Sequence, residues 1–148
     1  MWEDSGAFKA DVNTTKETFT VSMPPPNATG QLHLGHAVML ALEDIFIRFQ
    51  RMCGKEALWV PGTDHAAIAT NAVMERKLKD EEGVTKNDIG REEFIRRLKE
   101  FVSNSRDTIR AQVRKMGSSC DWSREKFTMD ETLNRCVNEI FVMMYKDG

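Results

Sequence analysis

Residues 18–36 have the sequence TFTVSMPPPNATGQLHLGH, in which the pattern changes from strand to helix. Apolar side chains alternate with threonine and serine from Thr18 to Met23, which predicts a short β-strand. The prolines at 24–26 end this strand, because proline donates no ladder hydrogen bond and fixes φ. A helical period follows from Leu32 to Met52 and stops at Gly54. This helix is apolar on nearly all sides, so we expect it to be buried.

A second strand is predicted for the apolar run from Ala57 to Val60, which ends at Pro61-Gly62. Strand, helix and strand in this order predict a parallel βαβ unit with a right-handed crossover. Three more helices are predicted, over residues 66–82, over 91–116, and after a capping box at 128–131. Buried parallel strands need neighbours at both edges, so two strands indicate the first part of a larger α/β domain.

Composition excludes several classes of protein. The 148 residues are 41% hydrophobic and 30% charged, with a formal net charge of −2, unlike a disordered chain or a strongly basic nucleic-acid module. The longest apolar run, residues 37–42, is far shorter than a membrane span. Cys53, Cys120 and Cys136 lack the spacing of a zinc site, and Cys53 and Cys136 are interpreted as small core residues. We therefore expect a cytoplasmic protein without a bound metal ion.

The segment from Pro24 to His36 carries candidate phosphate chemistry. It joins the end of a strand to a helix N-terminus, where ligands bind in open parallel sheets and where free N–H groups favour phosphate. Gly35 would allow a nucleotide close to the backbone, and His33 and His36 share one helix face. Two imidazoles there could donate hydrogen bonds to phosphate oxygens during nucleotidyl transfer. The alternative is that the histidines merely cap a core helix.

A second segment, WVPGTDH at residues 59–65, also follows a strand and should open at the same sheet edge. The carboxylate of Asp64 could hold an ammonium group, which is the partner that a half-buried carboxylate needs. The alternative is that Asp64 is the N-cap of the next helix.

Arginines spaced by four form a third candidate, on the helix over residues 91–116. Arg106, Arg110 and Arg114 could follow a nucleic-acid backbone. More often such a stripe is a solvated helix face.

Together these segments resemble the class I aminoacyl-tRNA synthetases, and within that class the valine-specific family. The resemblance rests on PPPN at 24–27, HLGH at 33–36, GTDHAAIATN at 62–71, GREEF at 90–94 and SCDWSREKFTMD at 119–130. It covers nearly the whole chain. Isoleucine-specific enzymes fit less well around Asp64, and leucine-specific ones remain an alternative. Ala67 and Asn71 depart from the usual Gly and Gln of the valine-specific family.

The resemblance implies an α/β fold, the first part of a Rossmann-like nucleotide-binding domain that is helix-rich and has few parallel strands. Residues 1–82 would form the first half of the catalytic domain, and residues 83–148 a helical segment that leads to a connective or editing insertion absent from this chain. The chain would then be an amino-terminal piece that is not fully active alone.

The resemblance also implies a reaction: activation of valine by ATP with Mg²⁺, then transfer of the valyl group to tRNA(Val). Pro24, Pro25, Asn27 and Asp64 would bind valine. Asn27, Thr29, His33, Gly35 and His36 would bind ATP, with His33 and His36 as the catalytic pair. Arg106, Arg110 and Arg114 would contact tRNA. Rival hypotheses are a non-catalytic fragment, an RNA-binding module, or another nucleotidyltransferase with a His-x-Gly-His sequence.

Overall fold

A computed structural model describes residues 2–148 of the chain. Its centre is the predicted βαβ unit, formed by β1 (Thr18–Ser22), α1 (Leu34–Met52) and β2 (Glu56–Val60). β1 and β2 are parallel and pair Phe19 with Ala57 and Val21 with Trp59. The prediction of a parallel strand–helix–strand unit is therefore confirmed.

The remaining elements are mainly helical. They are β3 (Gly62–Thr63), α2 (Ala67–Glu82), α3 (Lys86–Ile89), α4 (Arg91–Lys115), a 3₁₀ turn (Trp122–Arg124), β4 (Lys126–Phe127) and α5 (Glu131–Asp147). β3 and β4 form a second parallel pair, in which Thr63 lies opposite Phe127. Neither strand was predicted from the sequence, because two residues are too few to show a periodicity. The short helix α3 was not predicted either, and it lies between the helices predicted over residues 66–82 and 91–116.

The main core lies between the β1–β2 sheet, α1 and α4. Its fully buried centre is Trp59, whose indole N–H donates to the Glu43 carboxylate on α1 at 3.0 Å. Burial raises the pKa of Glu43. Leu40 and Ile47 of α1 and Ile109 of α4 pack into the same cluster. Phe19, Val21, Ala57 and Trp59 share one face of the sheet, and both helices pack against that face, which fixes the strand ends relative to the start of α1.

A second core cluster joins α2 to α4. Met74 and Leu78 of α2 pack against Phe94 and Leu98 of α4. This cluster crosses the predicted division at residue 82, so residues on both sides of it share a core. The division itself stays a prediction.

The expectation that α1 is buried on nearly all sides is wrong. Only Leu40 and Ile47 of α1 are buried. The large apolar residues exposed along this helix are Leu34, Val38, Leu42, Ile45, Phe46, Phe49 and Met52. The reason is that the described residues cover one face of the helix and leave the other uncovered. Periodicity reports how apolar a helix is, and burial depends on what packs against it.

Two smaller expectations also fail. Cys53 and Cys136 are exposed rather than in a core, whereas Cys120 is buried and burial raises the pKa of its thiol. The predicted capping box at 128–131 does not form. α5 begins at Glu131 with Asp130 as its N-cap, and the Asp130 carboxylate accepts from the Phe127 N–H instead.

Across residues 2–148, no helix is both long enough and apolar enough to cross a membrane.

Candidate active site

A backbone bridge brings the two candidate segments together. The Asp64 N–H donates to the Pro26 carbonyl at 2.8 Å, and the Ala28 N–H donates to the Asp64 carbonyl at 2.7 Å. These two bonds pair Asn27 with Asp64 in parallel register, beyond the ends of β1 and β2. The prediction that both segments open at one sheet edge is confirmed.

The Asp64 side chain is held by one of its two oxygens. Oδ1 accepts from the Ala66 N–H and from the Thr128 hydroxyl, each at 3.0 Å. In the described part of the chain, Oδ2 has no hydrogen-bond partner. The N-cap of α2 is Ala66, so Asp64 is not the helix cap that the alternative interpretation required. One carboxylate oxygen is left for a ligand.

Asp64 faces an open cavity of about 650 Å³. Its walls are formed by Asn27, Asp64, His65, Ala66, Ala67, Ile68, Ala69, Thr128 and Met129. Asp64 is the only carboxylate among these residues, and most of the other side chains are small or apolar. Such a cavity suits a small molecule that has an ammonium group beside an aliphatic part.

Thr128 is a site residue that was not predicted from the sequence. Its sequence context favours a helix cap, since Ser/Thr-x-x-Glu before an apolar run is the usual signal for one. The structure places its hydroxyl between the Asp64 carboxylate and the His65 N–H, 2.9 Å from the latter. The sequence signal available was the resemblance of residues 119–130 to a family segment, which gave no role to Thr128.

The histidines of the HLGH segment cap α1. His33 is the N-cap, and its Nδ1 accepts from the Gly35 N–H at 3.1 Å. The His36 Nδ1 accepts in turn from the His33 N–H at 3.3 Å. An imidazole nitrogen that accepts carries no proton, so each neutral ring has its proton on Nε2. Capping and ligand binding are therefore compatible. Each Nδ1 accepts a hydrogen bond from a main-chain N–H at the start of α1, and each Nε2–H is left as a donor for a ligand.

Gly35 leaves room for the histidine cap itself. A Cβ at this position would lie 2.9 Å from the Cε1 atom of His33, closer than side chains tolerate. A side chain at position 35 would therefore displace the His33 ring, which lies 4.0 Å from the His36 ring between centroids, from its capping position. Glycine allows the cap, in addition to any nucleotide contact.

Comparison with known proteins identifies the family. The family model of tRNA synthetases class I (I, L, M and V) matches residues 1–148. The chain belongs to the class I aminoacyl-tRNA synthetases.

Among curated relatives of this synthetase chain are two valine–tRNA ligases. The mitochondrial valine–tRNA ligase 1 of Arabidopsis thaliana is 50% identical over 147 residues, which are 99% of this chain and 13% of the relative. The valine–tRNA ligase of Rhizobium meliloti is 51% identical over 149 residues, covering 99% of this chain and 16% of the relative. The chain therefore spans a small part of the length of these relatives.

A solved structure has the same fold. It is LeuRS of Agrobacterium radiobacter in a ternary complex, LeuRS–tRNA–LeuAMS, with a TM-score of 0.81 and 21% identity. The match covers 99% of this chain and 17% of that one. The helix-rich α/β class with few parallel strands is thus confirmed for this synthetase chain.

The other residues predicted to bind ligands in this synthetase chain lie outside the Asp64 cavity. Of the predicted valine and ATP ligands, only Asn27 and Asp64 line it; Pro24, Pro25, Thr29, His33, Gly35 and His36 do not. Pro24 and Pro25 are exposed beside the bridge, and His33, Gly35 and His36 lie at the start of α1. The candidate site therefore has two parts, the Asp64 cavity and the N-terminus of α1.

The three arginines do not form a free stripe, since each contacts another side chain of the protein. Arg110 pairs with Asp107 and Glu125. Arg114 pairs with Glu3 and lies 3.9 Å over the Trp122 ring.

Arg106 is engaged in a different way, since it lies 3.9 Å over the ring of Phe127, the residue before Thr128. All three arginines thus have intramolecular contacts, and the tRNA contact stays a prediction.

The described residues do not fit a resident metal ion. Among residues 2–148, no three His, Cys, Asp or Glu side chains cluster as metal ligands would. The Mg²⁺ that the resemblance implies as a partner of the ATP phosphates stays a prediction.

The backbone at Ala66 leads to the first prediction. Ala66 has φ 48° and ψ 56°, the left-handed conformation, which costs an L-residue about 1–2 kcal/mol. We expect Ala66→Gly to raise the free energy of unfolding by up to about 1 kcal/mol, since glycine avoids this strain. Urea unfolding measures the change. As a control, Ala72→Gly within α2 should lower stability by about 1 kcal/mol. If Ala66→Gly lowered the free energy of unfolding as Ala72→Gly does, this would contradict a strained backbone at Ala66.

The histidine cap leads to the second prediction. Burial, with a smaller effect of the neighbouring His33, lowers the pKa of His36 from its usual 6.5. As the pH falls, His36 is therefore protonated at a higher pH in the unfolded chain than in the folded chain. The stability due to neutral His36 is complete above pH 6.5 and is lost as the pH falls from there through the folded-state pKa.

We expect the stability difference between the natural chain and His36→Gln to shrink as the pH is lowered through this range. Parallel urea unfolding of both chains at several pH values measures it. A difference that is constant between pH values above and below the usual histidine pKa would contradict the neutral cap.

Proposed function

We propose that this chain supplies the amino-acid and nucleotide sites of a valine–tRNA ligase. The observation that carries the proposal is the Asp64 carboxylate, fixed by Oδ1 and open at Oδ2, in a cavity with no other carboxylate. The two valine–tRNA ligase relatives, each about half identical over this chain, support valine as the amino acid.

Valine would bind through its ammonium group at Asp64 Oδ2. A charge-assisted hydrogen bond of this kind is about twice as strong as a neutral one. The isopropyl group would contact the small and apolar side chains of the cavity wall, such as Ala67 and Ile68. Asn27 lines this pocket at the bridge, and Pro24 and Pro25, which lie beside the bridge, would help to set its shape from outside the cavity wall.

ATP would bind at the start of α1. The helix N-terminus carries a partial positive charge, and the Nε2–H groups of His33 and His36 are two donors on one side of it. Thr29 and the backbone at Gly35 would complete the nucleotide contacts. A valine carboxylate oxygen would then attack the α-phosphorus, and the bond to the β-phosphate oxygen would break.

Pyrophosphate would leave with the bonding electrons, and valyl-adenylate would remain. The histidine donors would stabilise the negative charge that builds on the phosphate oxygens during this step. In the whole enzyme, a ribose hydroxyl at the 3′ end of tRNA(Val) would then attack the valyl carbonyl. AMP would leave, and the hydroxyl proton would be lost.

The cellular location belongs to the same proposal. Cys53, Cys120 and Cys136 are all free. Free thiols suit a reducing compartment, and we infer the cytoplasm.

The third prediction tests the amino-acid site in a full-length enzyme that carries this chain. Asp64→Asn removes the negative charge that meets the ammonium group. We expect the KM for valine in ATP–pyrophosphate exchange to rise about thirtyfold or more. The KM for ATP should change little, since Asp64 does not contact the nucleotide.

Asp80→Asn is the matched control, because Asp80 is exposed on α2 and away from the cavity. It should leave both constants unchanged. An unaltered valine KM in Asp64→Asn would contradict the proposed amino-acid site.

A further inference from the structure

Resting on the proposed function, we propose that Thr128 is a positioning residue for valine activation. Its hydroxyl holds the Asp64 carboxylate in the rotation that turns Oδ2 toward the amino-acid ammonium group.

The direction of the Thr128 hydrogen bond is fixed by its neighbours. The His65 N–H can only donate, so at 2.9 Å it donates to the Thr128 Oγ1. A hydroxyl has a single proton, and a carboxylate oxygen can only accept. The Thr128 proton therefore points to Asp64 Oδ1, 3.0 Å away.

This bond determines which carboxylate oxygen is free. The terminal torsion of an aspartate is broad, so an unheld carboxylate would rotate between two equivalent positions. Here the Ala66 N–H and the Thr128 hydroxyl both donate to Oδ1. Rotation would break two hydrogen bonds, so Oδ2 stays available to the ligand.

The backbone holds Thr128 independently of its hydroxyl. The Thr128 N–H donates to the Thr63 carbonyl at 3.2 Å, which extends the β3–β4 pair. The Asp130 N–H donates to the Phe127 carbonyl at 2.8 Å, and the Asp130 carboxylate accepts from the Phe127 N–H at 2.9 Å. Changing the Thr128 side chain therefore leaves its main-chain position fixed.

The consequence is a link between two distant parts of the sequence. Thr128 lies 64 residues after Asp64, at the end of the segment that follows α4. Movement of that segment would change the amino-acid site through this hydroxyl and through the main-chain pairing of β3 with β4 beside Asp64.

The test is valine-dependent ATP–pyrophosphate exchange in the full-length enzyme. Thr128→Val keeps the shape of the side chain and removes the hydroxyl. We expect it to raise the KM for valine about tenfold, with little change in kcat or in the KM for ATP. Thr128→Ser restores the hydroxyl and should return the KM to within about twofold of the natural value. Thr132→Val, at an exposed threonine on α5, is the control and should have no effect.

A double-mutant cycle with Asp64→Ala distinguishes positioning from a structural role. If Thr128 acts through Asp64, adding Thr128→Val to Asp64→Ala should have almost no further effect on valine binding. Melting temperatures identify any variant that fails to fold, and Thr128→Ala then replaces Thr128→Val.

The outcomes separate the two proposals. Equal losses in Thr128→Val and Thr128→Ser, additive losses in the cycle, or a natural KM in Thr128→Val would overturn the positioning role. In each case a large effect of Asp64→Ala alone would leave the proposed function standing. No effect of Asp64→Ala would overturn both.

Discussion

The candidate site depends on two backbone hydrogen bonds that join Asn27 to Asp64. The prolines at 24–26 cannot donate in a sheet, so β1 ends before them. The Pro26 carbonyl can still accept, and it does so from the Asp64 N–H. Ala28 completes the bridge and is fully buried beside Phe127. A carboxylate from one strand end is thereby set against the loop that leads to α1.

The start of α1 combines two roles in the same pair of histidines. The Nδ1 atoms satisfy N–H groups that the helix leaves unpaired, and the Nε2–H groups remain for a ligand. Only the capping role needs a neutral ring, since a protonated Nδ1 no longer accepts, whereas the Nε2–H donor is present in either protonation state. The two roles therefore use different atoms of the same rings.

The βαβ unit could be predicted because its signals are local: a two-residue period, prolines, then a helical period that ends at a glycine. The contact partners of the side chains could not be predicted from the sequence. Arg110 and Arg114 looked like a free stripe, yet Glu125 and Glu3 come from other segments of the chain. Thr128 was ambiguous for the same reason, because a threonine before a helix fits a cap until the position of Asp64 is known. Exposure of α1 likewise depends on what else packs against it.

A preformed amino-acid site requires the bridge to be a firm part of the fold. Amide hydrogen exchange of the Ala28 and Asp64 N–H groups, resolved residue by residue in the full-length enzyme, measures this. We expect both amides to exchange as slowly as those of the β1–β2 pair, because each is held by a short hydrogen bond at the edge of the core. Exchange as fast as that of an exposed loop would contradict a preformed amino-acid site.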